Sequence, residues 1–244
     1  MSRILVTGSA DGLGRATAAT LLSAGHEVIV HVRNERRASA VTSLVDRGAN
    51  LIIADLANRS EVLNAAGKLT EMEVDAIIHN AGIYSGPDVM PVNVVAPYLL
   101  TALVNGPRRH VYLSSGMHTG GRPTVDSIDW KGTRTTGSYS DSKLFVTTLS
   151  AAVARLFPSQ LSNAVDPGWV PTRMGGPDAP DNLEQGHRTQ EWLATSNDPD
   201  ALNSGGYWHH HRLRDPHPAT LDAAFQDRLL GSLEDATGVA LEPK

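Results

Sequence analysis

The stretch at residues 4–14, ILVTGSADGLG, limits the fold of this chain more than any other part of it. Residues 4–7 are apolar or β-branched throughout, as in a short strand buried on both faces. Gly8, Gly12 and Gly14 follow at once, and a helix-period segment begins at residue 12. Glycines let the backbone turn sharply where the strand ends. The helix beyond then points unpaired N–H groups and a partial positive charge back at the turn, which suits a diphosphate. The spacing is T-G-x-x-x-G-x-G, not G-x-G-x-x-G.

The same strand, turn and helix pattern recurs downstream. Apolar runs at 27–32, 51–54, 76–79, 110–114 and 161–165 read as strands, and 12–24, 36–47, 60–69, 88–104 and 139–156 read as helices. Apolar strands alternating with helices imply right-handed βαβ units in an open, doubly wound α/β sheet. Two segments break the rhythm, at 116–138 and 173–206, where Gly, Pro and polar residues accumulate. Long irregular inserts in such a sheet serve as lids or binding loops. Residues 218–239 read as a helix docking through Leu221, Phe225, Leu229 and Leu233. No linker divides the chain, so residues 1–244 are expected to form a single domain.

Composition removes several functions. With no cysteine, disulfides, thiolate metal sites and Cys nucleophiles are excluded. A net charge of −5 argues against nucleic-acid binding on a basic surface. The longest apolar stretch, 92–104, is interrupted by Asn93, Pro97 and Thr101 and is too short for a bilayer. The N-terminus lacks a signal-peptide layout, so a cytoplasmic protein is expected, with no membrane partner. His209, His210 and His211 are consecutive and cannot converge on one ion from a strand, so no metal site is expected.

The second strand bears on which dinucleotide binds. An acidic residue at its end would bond ribose hydroxyls, whereas a 2′-phosphate calls for a cation. Arg33 occupies that position, with Arg36 and Arg37 close behind, and the fork of a guanidinium matches a phosphate. NADP(H) is therefore expected in preference to NAD(H).

Tyr139 and Lys143 are four residues apart at the start of a helix and so share a face. Ser115 ends the preceding strand, at the sheet edge where ligands sit. Hydride delivery to a carbonyl leaves an alkoxide that needs a proton. A phenol, with an ordinary pKa near 10, is a reluctant acid–base group at neutrality. A neighbouring ammonium favours the phenolate, and a serine hydroxyl can donate to the developing oxyanion.

These residues, taken in order, resemble the short-chain dehydrogenase/reductase family in its compact single-domain branch. The resemblance rests on Thr7–Gly14, Asp55-Leu56, Asn80-Ala81-Gly82, Asn93, Ser114-Ser115, Tyr139-Ser-Asp-Ser-Lys143, and Pro167-Gly168 with Thr172. It implies a Rossmann-type sheet of about seven parallel strands flanked by helices, and a nicotinamide-dependent oxidoreductase. By matched position it implies Asn93, Ser115, Tyr139 and Lys143 as the catalytic set. Gly8, Ser9, Asp11, Gly12, Leu13, Gly14, Arg33, Asp55, Leu56, Asn80, Ala81 and Gly82 would line the cofactor, together with Tyr139, Lys143, Pro167, Gly168, Val170 and Thr172. It also implies a homodimer or homotetramer through 88–104 and 139–156.

The section from 111 to 145 is similar to retinol-dehydrogenase-like and carbonyl-reductase members, which implies an apolar or polycyclic ketone or aldehyde as substrate. The alternative is a catalytically silent NADP(H)-binding sensor. Three departures from the family pattern stand out. His79 replaces the more usual Asn, Asp11 brings an acid to the glycine turn, and Trp130 and Trp169 are bulkier than usual, as in a narrowed pocket or a lid.

Overall fold

A computed structural model describes residues 1–242. Strands and helices follow one another as β1 (Arg3–Val6), α1 (Gly12–Ser23), β2 (Glu27–Val32), β3 (Asn50–Ile53), α2 (Arg59–Glu71), β4 (Ala76–His79), α3 (Ala96–Leu103) and β5 (Arg109–Leu113). Then come α4 (Tyr139–Leu156), β6 (Leu161–Asp166), α5 (Leu183–Thr195), β7 (Tyr207–His209), β8 (Arg212–Arg214) and α6 (Ala223–Thr237). The strands form one sheet in the order β3-β2-β1-β4-β5-β6-β7-β8. Neighbours from β3 to β7 are parallel, as expected for a doubly wound Rossmann sheet. The eighth strand is an addition: β8 returns antiparallel to β7. His210 and His211, both at positive φ, make the two-residue turn between them.

Alternation along the strands sends side chains to two separate apolar layers. Ile4, Val6, Val28 and Val30 join Ala18 and Leu21 of α1 and Leu193 of α5 on one face. Leu5, Ile29 and Ile77 join Leu69, Leu99, Leu149, Phe225, Leu229 and Leu233 of α2, α3, α4 and α6 on the other. Each fully buried Val, Leu or Ile stabilises the fold by about 1.5–3 kcal/mol. With both faces covered, function is confined to the sheet edges. The strand order reverses between β1 and β4, which opens a crevice at their C-terminal ends. Among the described residues no helix is long and apolar enough to cross a membrane.

Two expected helices are built differently. Residues 36–47 form three short helical turns, Glu35–Ala38, Ser39–Val41 and Thr42–Val45. Ser39, Val41 and Thr42 are weak helix formers, and Val41 leaves the α path at φ −111° to bury its side chain. In the 88–104 segment, Pro91–Val95 is a wider π turn before α3. Pro97 has no N–H to give the carbonyl of Asn93 four residues back, which favours that widening. Leu221 lies in the 3₁₀ turn Pro218–Leu221 and is exposed, whereas Phe225, Leu229 and Leu233 dock as expected. Helix α4, one of the two expected to meet a second copy, is buried over most of its length, with α6 packed on it.

Candidate active site

The turn after β1 is held open for a ligand. The helices beginning at Arg59, Tyr139, Leu183 and Ala223 are each capped by a side chain, from Asn58, Ser138, Asn182 and Asp222. Asp11, at the same position before α1, makes no cap bond. Among the described residues nothing accepts from the N–H groups of Gly12, Leu13 and Gly14, which have the helix dipole behind them. Glycine is required at two points. Gly8 has φ +70°, and a Cβ there would lie 2.9 Å from the Ala81 Cα; one on Gly14 would lie 2.4 Å from the Gly8 carbonyl oxygen. The turn is stitched to the loop after β4: Asn80 Nδ2 donates to the Thr7 carbonyl at 2.7 Å, and the Ala81 N–H donates to Thr7 Oγ1 at 2.9 Å. Ser9 points its hydroxyl inward, donating to the Val6 carbonyl.

At the outer end of the crevice Arg33 is exposed, with no ion-pair partner among the described residues. Asp11 does not stand there as a bare negative charge. Arg37 reaches it at 2.6 Å, so the acid brought to the glycine turn is paired with a guanidinium. Asp55 binds the Ala57 N–H through one carboxylate oxygen, and Leu56 is buried beside it.

The inner end gathers the catalytic candidates. Helix α4 starts at Tyr139 because Ser138 and Asp141 form a reciprocal capping box, bonding each other's backbone N–H at 3.1 and 2.9 Å. Four residues on, Lys143 is buried and donates from Nζ to the Leu113 carbonyl at 2.7 Å. Nζ lies 5.4 Å from the centre of the Tyr139 ring. Burial pushes the Tyr139 phenol up to about 12, with Asp166 and Tyr84 adding to the rise and Ser115 opposing it. The expected lowering by Lys143 is not found: the Ser115 hydrogen bond alone opposes the rise, and burial prevails. Burial also pulls Lys143 down to about 8, against the Asp166 carboxylate.

Asn93 sits in the π turn and bonds the Ile83 N–H and carbonyl, each at 2.9 Å, and Ser142 Oγ at 2.9 Å. It braces the loop after Gly82 against α4. A Cβ at Gly82 would lie 3.4 Å from Asn93 Oδ1 and 3.6 Å from Lys143 Nζ.

The segment after β6 closes over the same crevice. Gly168 has φ +81°, the Trp169 N–H donates to Asp181 at 2.6 Å, and Thr172 packs on Gly12. Val170 is buried, and a Cβ on Gly186 would meet Val170, the Pro167 carbonyl and Leu13 together. The glycine turn is thus in close contact with Asn80 and Ala81 on one side and with Thr172 of the segment after β6 on the other. Of the two bulky tryptophans, Trp130 is core: it packs on Phe145 and donates to Ser232. Trp169 is 60% exposed at the crevice.

Asp166 was absent from the expected site. It ends β6, bonds the Gly168 N–H at 3.0 Å, sits against Gly116, and bears electrostatically on Tyr139, Lys143, Tyr207 and His118. Its position directly before Pro167-Gly168 was the available signal. Tyr84 is the other omission, its ring 4.9 Å from that of Tyr139.

A sequence model of short chain dehydrogenases matches residues 2–105. The short-chain dehydrogenase chry4 of Gibberella zeae is 35% identical over 99% of both chains. Human retinol dehydrogenase 13 is 27% identical over 70% of this chain and 60% of its own. A short chain dehydrogenase from Shigella flexneri, solved with NADP, superposes with a TM-score of 0.70 at 22% identity, covering 86% of this chain and 97% of its own.

Proposed function

Because this chain belongs to the short-chain dehydrogenase family, we propose that it is an NADP(H)-dependent carbonyl reductase acting on apolar aldehydes or ketones. One observation carries the reading: just past β5 the Ser115 side chain is hydrogen-bonded to Tyr139, whose ring lies 5.4 Å from Lys143 Nζ, in a fold whose first helix is uncapped and whose glycine turn has no room for side chains. A nicotinamide dinucleotide fits such a site. Gly12, Leu13 and Gly14 would take its diphosphate, Arg33 and Arg37 its 2′-phosphate, Asp55 and Leu56 its adenine, and Asn80, Ala81, Gly82, Val170 and Thr172 its nicotinamide half. Bound there, the dinucleotide supplies the hydride.

The remaining work falls to the chain. With its phenol pushed up to about 12, Tyr139 holds its proton at neutral pH and donates it to the oxygen of the reduced carbonyl. Ser115 directs its hydroxyl to that oxygen as negative charge develops. Lys143 supplies positive charge behind the Tyr139 ring, and Asn93 keeps α4 and the Gly82 loop in register. A protonated Tyr139 is ready for reduction, whereas alcohol oxidation needs the phenolate and gains rate as pH rises. Tyr84, Met117, Trp169 and Met174 lie on the loops around the crevice and are exposed. Apolar side chains left in water at the mouth of a site favour an apolar substrate.

The test follows reduced-nicotinamide absorbance over a panel of aldehydes and ketones, with NADPH and with NADH. Wild type is expected to prefer NADPH, and Arg33→Asp to narrow or reverse that preference. Tyr139→Phe is expected to lose about 10²–10⁴-fold in kcat while dinucleotide binding persists. Turnover unchanged in Tyr139→Phe refutes the mechanism, and a wild type preferring NADH refutes the cofactor assignment.

A further inference from the structure

Strand β2, Glu-Val-Ile-Val-His-Val, carries one polar side chain within an otherwise apolar interior run, that of His31. Its ring is 4% exposed and joins two segments of the groove. Nε2 lies 2.9 Å from the Ala54 carbonyl oxygen, an acceptor only, so Nε2 carries the hydrogen. Nδ1 is left with its lone pair, which accepts the Gly8 N–H at 3.0 Å. The backbone repeats the link: the Ser9 N–H donates to the His31 carbonyl at 2.9 Å, and the His31 N–H donates to Ser9 Oγ at 3.2 Å. One imidazole thus ties the glycine turn to Ala54, the residue before Asp55.

We propose that His31 is a positioning residue for the dinucleotide: its neutral ring latches the diphosphate turn to the adenine edge, and protonation releases the latch and weakens binding. The inference rests on the dinucleotide reading above. A protonated ring carries hydrogens on both nitrogens, so the Gly8 N–H would meet Nδ1–H head-on. Either the ring must turn, breaking the bond to Ala54, or the Gly8 peptide must move. Gly8 tolerates little movement, packed as it is against Ala81. Among the described residues, Asp55 is the one charged group that acts on the ring, and it favours the cation. Burial, the largest influence, favours the neutral form and lowers the His31 pKa from its ordinary value.

A core histidine that merely fills space would leave dinucleotide affinity with no acid limb of its own. The experiment measures NADP⁺ binding to the full chain by calorimetry from pH 8 to pH 5.5, in wild type and in His31→Gln. The Gln amide can accept from Gly8 or donate to Ala54 but does not titrate. The 2′-phosphate itself titrates in this range, so the reading is the difference between the two proteins. Wild-type Kd is expected to rise more steeply on acidification, by up to about tenfold per pH unit where one proton is linked. Because linkage is reciprocal, NMR of the wild-type ring is expected to show its pKa falling when NADP⁺ saturates the protein, a readout that needs no variant to fold. Equal acid sensitivity in the two proteins, or a ring pKa unmoved by NADP⁺, overturns the inference while leaving the dinucleotide reading intact. Absence of NADP⁺ binding at every pH overturns both.

Discussion

Asp141 is the residue through which α4 grips the insert that precedes it, and replacing it with asparagine measures that grip. Its carboxylate is 2% exposed. It accepts the Arg122 N–H at 2.8 Å, the Arg122 guanidinium at 3.0 Å and the Ser138 N–H at 2.9 Å. Burial works against its ionisation, but the Arg122 guanidinium and these N–H groups outweigh burial and hold the pKa at about 2, against an ordinary 3.8. At about 1.4 kcal/mol for each tenfold in acidity, the charged form stabilises the fold by about 2–3 kcal/mol. The folded pKa is depressed, so this stability is complete above about pH 5. It is lost as pH falls through 3.8 towards 2, and about half remains at pH 3. Urea unfolding of wild type and Asp141→Asn at pH 7 should differ by about 2–3 kcal/mol, and the gap should shrink by about half at pH 3. A difference below about 0.5 kcal/mol at pH 7, or a gap that does not narrow with acid, would refute the reasoning.

Two further outcomes follow from the groove. The Asp166 carboxylate raises both Tyr139 and Lys143, so Asp166→Asn should move the pH–rate profile for alcohol oxidation towards lower pH; a profile that stays put or moves upward contradicts the assignment. In Gly14→Ala the new methyl would press on the Gly8 carbonyl and Asn80 Nδ2, each 2.4 Å away. Dinucleotide affinity measured by calorimetry should fall at least about tenfold while the far-ultraviolet circular dichroism is retained, and unchanged affinity would show that the turn is looser than its geometry requires.

Much of this organisation is legible in local sequence, because local chemistry determines it. Helix α4 is readable to the residue since Ser138 and Asp141 mark its start and an unbroken apolar period carries it to Leu156. The glycine turn is readable because no other residue fits Gly8 or Gly14. The roles of Asp166 and His31 are not legible in this way. Asp166 faces Tyr139 only because β6 pairs with β5 in the register that sets Val165 beside Leu113. His31 is a latch only because β1 and β3 lie on either side of β2. Strand β8 is hidden for a similar reason: two histidines in a left-handed turn are a poor turn signal beside the usual Asn-Gly. The broken helix after Arg33 depends on Val41 finding the core, which no periodicity of its own segment announces.

The widened turn Pro91–Val95 makes chain length at this point a fixed quantity. A one-residue deletion inside it would remove the extra residue of the π turn and restore ordinary i→i−4 pairing. Asn93 would then swing off the Ile83 backbone and Ser142, although every side chain named here remained in the protein. Natural variants that gain or lose residues should therefore be purged from the five positions around Asn93.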